Sequence, residues 1–133
     1  MKNNQLMIYG AYGYAGELMV REAVAQGLRP IIAGRDDEKL KPIATELSLE
    51  CRAFGVRNTG SNLQDISVLL NCAGPFSATA EPLARACLAQ QIHYLDITGE
   101  IDIFRKCHAL DEEARQQNVL ILPGAGTDIV PTD

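Results

Sequence analysis

Six short apolar runs, each parted from the next by a longer or more polar stretch, set the tightest limit on how this chain folds. They are 6–9 (LMIY), 30–33 (PIIA), 51–54 (CRAF), 68–72 (VLLNC), 92–97 (IHYLDI) and 119–122 (VLIL). Each has the length of a strand and is bounded by Gly, Pro or Asn. Helices are predicted over 16–26, 37–48, 79–90 and 101–117, with a short one near 62–66. The last of them places Ile101, Phe104, Leu110 and Ala114 along one side, with charges elsewhere. Strands apolar on both faces, joined through helices, imply a parallel sheet covered on both sides. With right-handed crossovers this is an α/β fold, a doubly wound parallel sheet of Rossmann type with about six strands. A length of 133 residues is about one domain. No repeat, low-complexity tract or linker divides it, so 1–133 reads as a single domain.

Charge and cysteine usage narrow the partners. A formal net charge of −5 argues against nucleic acid, since affinity for phosphate backbones rests on clustered Lys and Arg. No apolar run approaches the ~18 residues of a membrane span, and the start MKNNQLMIYG is too short in apolar residues for a secretory signal. The cysteines Cys51, Cys72, Cys87 and Cys107 form no Cys-x-x-Cys pair, so reduced thiols in a cytoplasmic protein are expected. Cys107 and His108 are neighbours without further ligands, and no metal site is predicted. The final stretch ILPGAGTDIVPTD passes from a strand into a Gly/Pro-rich turn and stops. A domain cut from a longer protein would end in this way, and such a domain leaves homo-oligomerisation open through surface its partner once covered.

Residues 9–16, YGAYGYAG, stand where the first strand hands over to the first helix. Glycines at this turn have distinct tasks in a nucleotide-binding sheet. One permits the tight turn, one lets backbone approach a pyrophosphate, and one lets helix and strand pack closely. The pyrophosphate rests on the free N–H groups and positive dipole end of the helix. The reference spacing is Gly-x-Gly-x-x-Gly, whereas Gly10, Gly13 and Gly16 are evenly spaced, the first displaced by one residue. A plain turn could carry three glycines, but the strand before, helix after and second strand near position 30 match what the motif demands. The segment Gly10, Ala11, Tyr12, Gly13, Tyr14, Ala15 and Gly16 is therefore the expected dinucleotide cradle. Tyr12 and Tyr14 either touch the cofactor or pack on the rim of the turn.

In NAD enzymes an acid at the end of the second strand accepts from the ribose 2′-hydroxyl. That place holds Gly34, followed by Arg35. A guanidinium fork pairs with a 2′-phosphate that a carboxylate would repel. NADP(H) is therefore expected over NAD(H). Asp36 or Asp37 could bind a ribose instead, although Asp36 before DEKL also reads as a helix N-cap. Lys39 either assists Arg35 or belongs to a solvated face.

Ligands of open parallel sheets sit beyond the C-terminal strand ends. The fourth strand delivers Cys72, Ala73, Gly74, Pro75 and Phe76 there, and the fifth delivers Asp96, Thr98 and Gly99, with Glu100. Asp96 and Glu100 alternatively cap the helix that begins near 101. No Tyr-x-x-x-Lys pair occurs, which excludes the short-chain dehydrogenase mechanism despite NCAG. No Ser–His–Asp set is evident, and no general acid for hydride chemistry can be assigned, so the catalytic residues are unknown.

Together, YGAYGYAG, AGR, NCAGPF, YLDITGE and GAGTDIVPTD resemble the N-terminal NADP-binding domain of the saccharopine dehydrogenase-like oxidoreductases, and are similar also to the trans-acting enoyl reductases. The resemblance covers nearly the whole chain. It implies that Gly10, Gly13 and Gly16 hold the pyrophosphate, that Arg35 meets the 2′-phosphate, and that Ala73–Phe76 lie near the nicotinamide. It further implies that the chain is the N-terminal part of a two-domain protein, since Gly126–Asp133 match a segment that precedes a substrate domain. The third strand, CRAFGV, departs from relatives by lacking the acidic residue that accompanies adenine. The expectation is an NADP(H)-binding domain of an oxidoreductase that exchanges hydride with a small-molecule substrate held by another domain. The alternative is a non-catalytic module that binds or senses the dinucleotide.

Overall fold

A computed structural model describes residues 5–97 and 101–124, with the backbone alone for 101–104. Its strands are β1 (Leu6–Tyr9), β2 (Ile31–Gly34), β3 (Cys51–Ala53), β4 (Val68–Asn71), β5 (His93–Asp96) and β6 (Ile121–Leu122). Its helices are α1 (Tyr14–Ala25), α2 (Asp37–Leu47), α3 (Phe76–Ala89), α4 (Ile101–His108) and α5 (Asp111–Gln116), with a short 3-10 turn at Gly60–Leu63. The strands form one sheet in the order β3-β2-β1-β4-β5-β6, and every pairing is parallel. The chain winds outward from β1 to β3, then returns to lay β4 on the other side of β1. The expected doubly wound sheet is what forms, and the crevice of such a sheet opens where the winding reverses, between β1 and β4.

Strand alternation decides which side chains meet which helices. Met7 and Tyr9 of β1, with Ile31 and Ala33 of β2, join Leu83, Ala84 and Cys87 of α3 and Cys107, Leu110 and Ala114 beyond it. Ile8 and Ile32 point the other way, against Val20 and Ala23 of α1 and Leu40 and Ile43 of α2. Two cores therefore form, one on each face, as a period of two residues requires. Tyr9 is the largest side chain buried in β1. Its hydroxyl donates to the Phe54 carbonyl at 2.7 Å and its ring lies 5.1 Å from the Phe54 ring.

Several boundaries move from those expected. α1 starts two residues early, at Tyr14, and α3 three residues early, at Phe76, because Gly13 and Pro75 take the extended N-cap conformation. The single helix expected over 101–117 is broken, since Leu110 lies between α4 and α5 with φ −92° and ψ 1°. Cys107, Leu110 and Ala114 share one core across the break. The Ile101 and Phe104 side chains lie outside the described residues. β6 is shorter than its apolar run because Val119 N–H is taken by the Ala114 carbonyl at 2.8 Å, closing the turn after α5. Among the described residues no helix is long and apolar enough to cross a membrane.

Burial has a consequence at alkaline pH. It pushes the Tyr9 phenol from its ordinary 10.0 to about 12, and the Cys72 and Cys107 thiols from 9.0 to about 12. The unfolded chain loses these protons first, so stability is intact below the ordinary values and declines as pH rises through the folded ones. Urea midpoints should hold level up to about pH 9 and fall steadily towards about 12. A midpoint that rises over this range would contradict the burial of these groups.

Candidate functional site

The end of β1 is built on contacts that only glycine permits. Gly10 has φ +83°, and a Cβ there would lie 2.7 Å from the Ala73 nitrogen in the turn after β4. A Cβ on Gly16 would lie 2.0 Å from the Gly10 carbonyl oxygen, so α1 could not come this close to β1 with any other residue. Gly13 is different: a Cβ would be 3.5 Å from the same oxygen, an ordinary contact. Gly10 thus makes the turn, Gly16 the helix–strand contact, and Gly13 caps α1 beside the crevice. The N–H groups of Gly10 and Ala11 both donate to the Ala33 carbonyl at 2.8 and 3.2 Å, pinning the turn to β2. No side chain caps α1 at Gly13, which leaves the positive helix end open to an anion.

A cleft of about 280 Å³ lies over the reversal between β1 and β4. Gly10, Tyr12 and Gly13 line it from the first turn, Gly34 and Arg35 from the end of β2, and Cys72, Ala73, Gly74 and Pro75 from the end of β4. These nine of the expected residues line one cleft. The other expected residues fall elsewhere. Ala11 is in the core beneath, Gly16 lies against the Gly10 carbonyl, and Tyr14 is 86% exposed at the start of α1 with Ala15 beside it. Phe76 packs against the core at the start of α3. Asp96 is fully buried, accepting from Tyr94 Oη at 2.6 Å and from Gly124 N–H at 2.8 Å. Thr98 and Gly99, like Glu100 and Gly126–Asp133, lie outside the described residues. Sequence reading missed Tyr9, Val56, Ala78 and Thr79 as lining residues. A helix start at Phe76 would have flagged the last two, which then fall in its first turn.

The two ends of the cleft differ in chemistry. At the β4 end, Asn71 is fully buried and organises the turn. Its Oδ1 accepts from Ala73 N–H at 2.9 Å, and its Nδ2 donates to Thr79 Oγ1 and to Tyr94 Oη, each at 3.1 Å. Thr79 in turn donates to the Ala73 carbonyl at 2.7 Å. The Gly74–Pro75 peptide in this turn is cis. Burial, then the neighbouring Asp96, pushes the Tyr94 phenol far up, so it remains a donor. The Cys72 thiol is held neutral by burial and Asp96 and is no nucleophile at neutral pH.

At the β2 end the groups are exposed and cationic. Arg35 is exposed at the cleft wall and has no carboxylate partner among the described residues. The two aspartates that follow it are engaged. Asp36 caps α2, its Oδ1 accepting from Glu38 N–H at 3.0 Å, and Asp37 pairs with Lys41 at 3.3 Å. Among the described residues there is no group of three His, Cys, Asp or Glu that could hold a metal.

A parallel sheet in this order, with a glycine turn and an open helix end over its reversal, defines the nucleotide-binding α/β domains. Residues 6–122 match the model of the saccharopine dehydrogenase NADP binding domain, and the chain belongs to that family. It is 27% identical to the saccharopine dehydrogenase-like oxidoreductase of Rattus norvegicus, over 97% of this chain and 35% of the relative. It is also 27% identical to a putative trans-acting enoyl reductase of Mycobacterium tuberculosis, over 96% of this chain and 33% of that protein. Both resemblances read from the sequence are therefore found. Saccharopine dehydrogenase (L-Glu forming) from Saccharomyces cerevisiae shares the fold, with a TM-score of 0.78 at 12% identity, over 95% of this chain and 28% of that one. The chain spans 35% of the length of the first curated relative it matches.

The glycines predict contrasting substitutions. Gly10→Ala combines a positive φ with a backbone clash and should cost at least about 1–3 kcal/mol. Gly13→Ala should stay within about 1 kcal/mol of the parent. Urea unfolding of the two variants measures the difference, and equal costs would count against the assigned roles.

Proposed function

We propose that this chain binds NADP(H) as the nucleotide-binding part of an oxidoreductase. Hydride would pass between the nicotinamide and a small-molecule substrate held by a further domain of a longer, cytoplasmic protein. The observation that carries the choice of cofactor is the end of β2. Gly34 stands where an NAD enzyme has its acid, and the guanidinium of Arg35 beside it has no carboxylate partner among the described residues. The capping of Asp36 and the ion pair of Asp37 favour the same reading, because each candidate ribose-binding carboxylate already has a partner.

The residues present suit a dinucleotide. The Gly10, Ala11 and Gly13 N–H groups donate within the fold and shape the turn, so the pyrophosphate would be held at the open end of α1 beyond Gly13, the 2′-phosphate by Arg35, and the nicotinamide end by Ala73–Pro75. The cofactor when bound supplies the hydride. The chain's own part is to orient it and exclude water, and the Asn71–Thr79 bonds that stiffen the β4 turn serve that end. A second reading, a non-catalytic module that senses the dinucleotide, is favoured by one observation: no ionised acid or base lines the β4 end of the cleft among the described residues. Turnover by the longer gene product separates the two.

Calorimetric titration with NADPH and NADH tests the cofactor choice. Arg35→Ala should weaken NADPH by about ten- to a hundredfold, the worth of a charge-assisted hydrogen bond, and change NADH little. Equal losses would remove the 2′-phosphate assignment. Gly13→Val should abolish binding of both nucleotides while leaving the circular dichroism spectrum intact. Normal binding by that variant would put the phosphate cradle elsewhere.

A further inference from the structure

We propose that Tyr12, a residue of the phosphate turn, determines the choice of cofactor by occupying the space that an acidic reader at position 34 would need. The inference rests on the dinucleotide site proposed above and assigns its specificity to a residue outside β2. A Cβ added to Gly34 would lie 2.6 Å from Tyr12 Cε2, 3.2 Å from Cζ and 3.3 Å from the hydroxyl oxygen. The ring therefore sits on the glycine face, where the side chain of an NAD-type acid would start. No carboxylate can be placed there while the ring keeps its seat.

The seat is held from two further directions. The Tyr12 hydroxyl accepts from Asp36 N–H at 3.2 Å, and the Lys39 ammonium lies 5.6 Å from the ring centroid, within cation–π range. Contacts at 34 and 36 bracket Arg35, so one side chain fixes the backbone on both sides of the guanidinium. A second cation, Lys39, is kept in the same corner by the face of the ring. The outcome is a corner that rejects a carboxylate and gathers positive charge, which suits a phosphate monoester on a ribose and disfavours a plain ribose.

Four forms of the chain test this by calorimetry with NADPH and with NADH, alongside thermal unfolding. They are the parent, Tyr12→Ala, Gly34→Asp and the double variant Tyr12→Ala with Gly34→Asp. Tyr12→Ala should lower the NADPH-to-NADH affinity ratio by about tenfold, chiefly by weakening NADPH. Gly34→Asp alone should bind both nucleotides poorly, since its side chain meets the ring. The double variant should recover NADH binding and reverse the preference. Tyr12→Phe, which keeps the ring on Gly34, should keep the ratio within about threefold of the parent; if Tyr12→Ala does not fold, this variant and the double variant decide.

Equal weakening of both nucleotides in Tyr12→Ala would overturn the proposal and leave Tyr12 a packing residue. So would a double variant no better for NADH than Gly34→Asp, or a Tyr12→Phe ratio that collapses. If the parent bound neither nucleotide, the site reading itself would fall, and this inference with it.

Discussion

The approach of α1 to the end of β1, with Gly16 against the Gly10 carbonyl, is the contact on which the rest of the structure depends. It brings the first turn of α1 to the edge of the sheet. Gly10 then admits the β4 turn from the other side, at a distance that excludes any side chain. Three chain segments converge there because two positions carry no Cβ. The converging backbone, rather than any one side chain, forms the floor of the cleft. The floor's own N–H groups are spent within the fold, and it is the uncapped end of α1, brought to its edge, that is open to an anion.

The cleft places its polar groups by opposite means at its two ends. Around Asn71, Tyr94 and Asp96 the groups are buried and satisfied by one another, the condition under which polar groups are tolerated in a core. Such a network stiffens the β4 turn and links it to Gly124, beyond β6. Around Arg35 and Lys39 the charges are solvated; the Tyr12 ring faces the Lys39 ammonium and its hydroxyl accepts from the N–H of Asp36, next to Arg35. A stiff end closed on its own hydrogen bonds and an exposed cationic end are what the proposed dinucleotide reading calls for.

Much of this was legible in residue order. The apolar runs at 6–9 and 68–72 fall on β1 and β4, and Asp36 caps α2 as its DEKL context indicated. The spacing of the glycines located the turn, although not which glycine faced a clash. The start of α3 was misplaced because the Gly-Pro turn hid its cap, and Thr79 was missed with it. Asp96, at a strand end, read as a cofactor-site residue, with a helix cap as the alternative. Its partners turn out to be Tyr94, two residues back on the same face of β5, and Gly124, which sequence order gives no reason to pair with it.

Local chemistry settled what needs only neighbours: the alternation that put Met7 and Ile8 on opposite faces, the cap at Asp36, and the glycine turn before α1. Periodicity and φ preferences act within a few residues, so the sequence by itself determined the strands, most of the helices and the glycine turn. Tertiary structure decided what occupies the space those elements enclose. The Tyr12 ring lies over Gly34 and bonds to Asp36, 24 residues away, only because the β1 turn and the end of β2 pack side by side. Excluded volume between distant residues has no trace in local propensity. The face of Gly34, open to any reader in the sequence, is already filled in the fold.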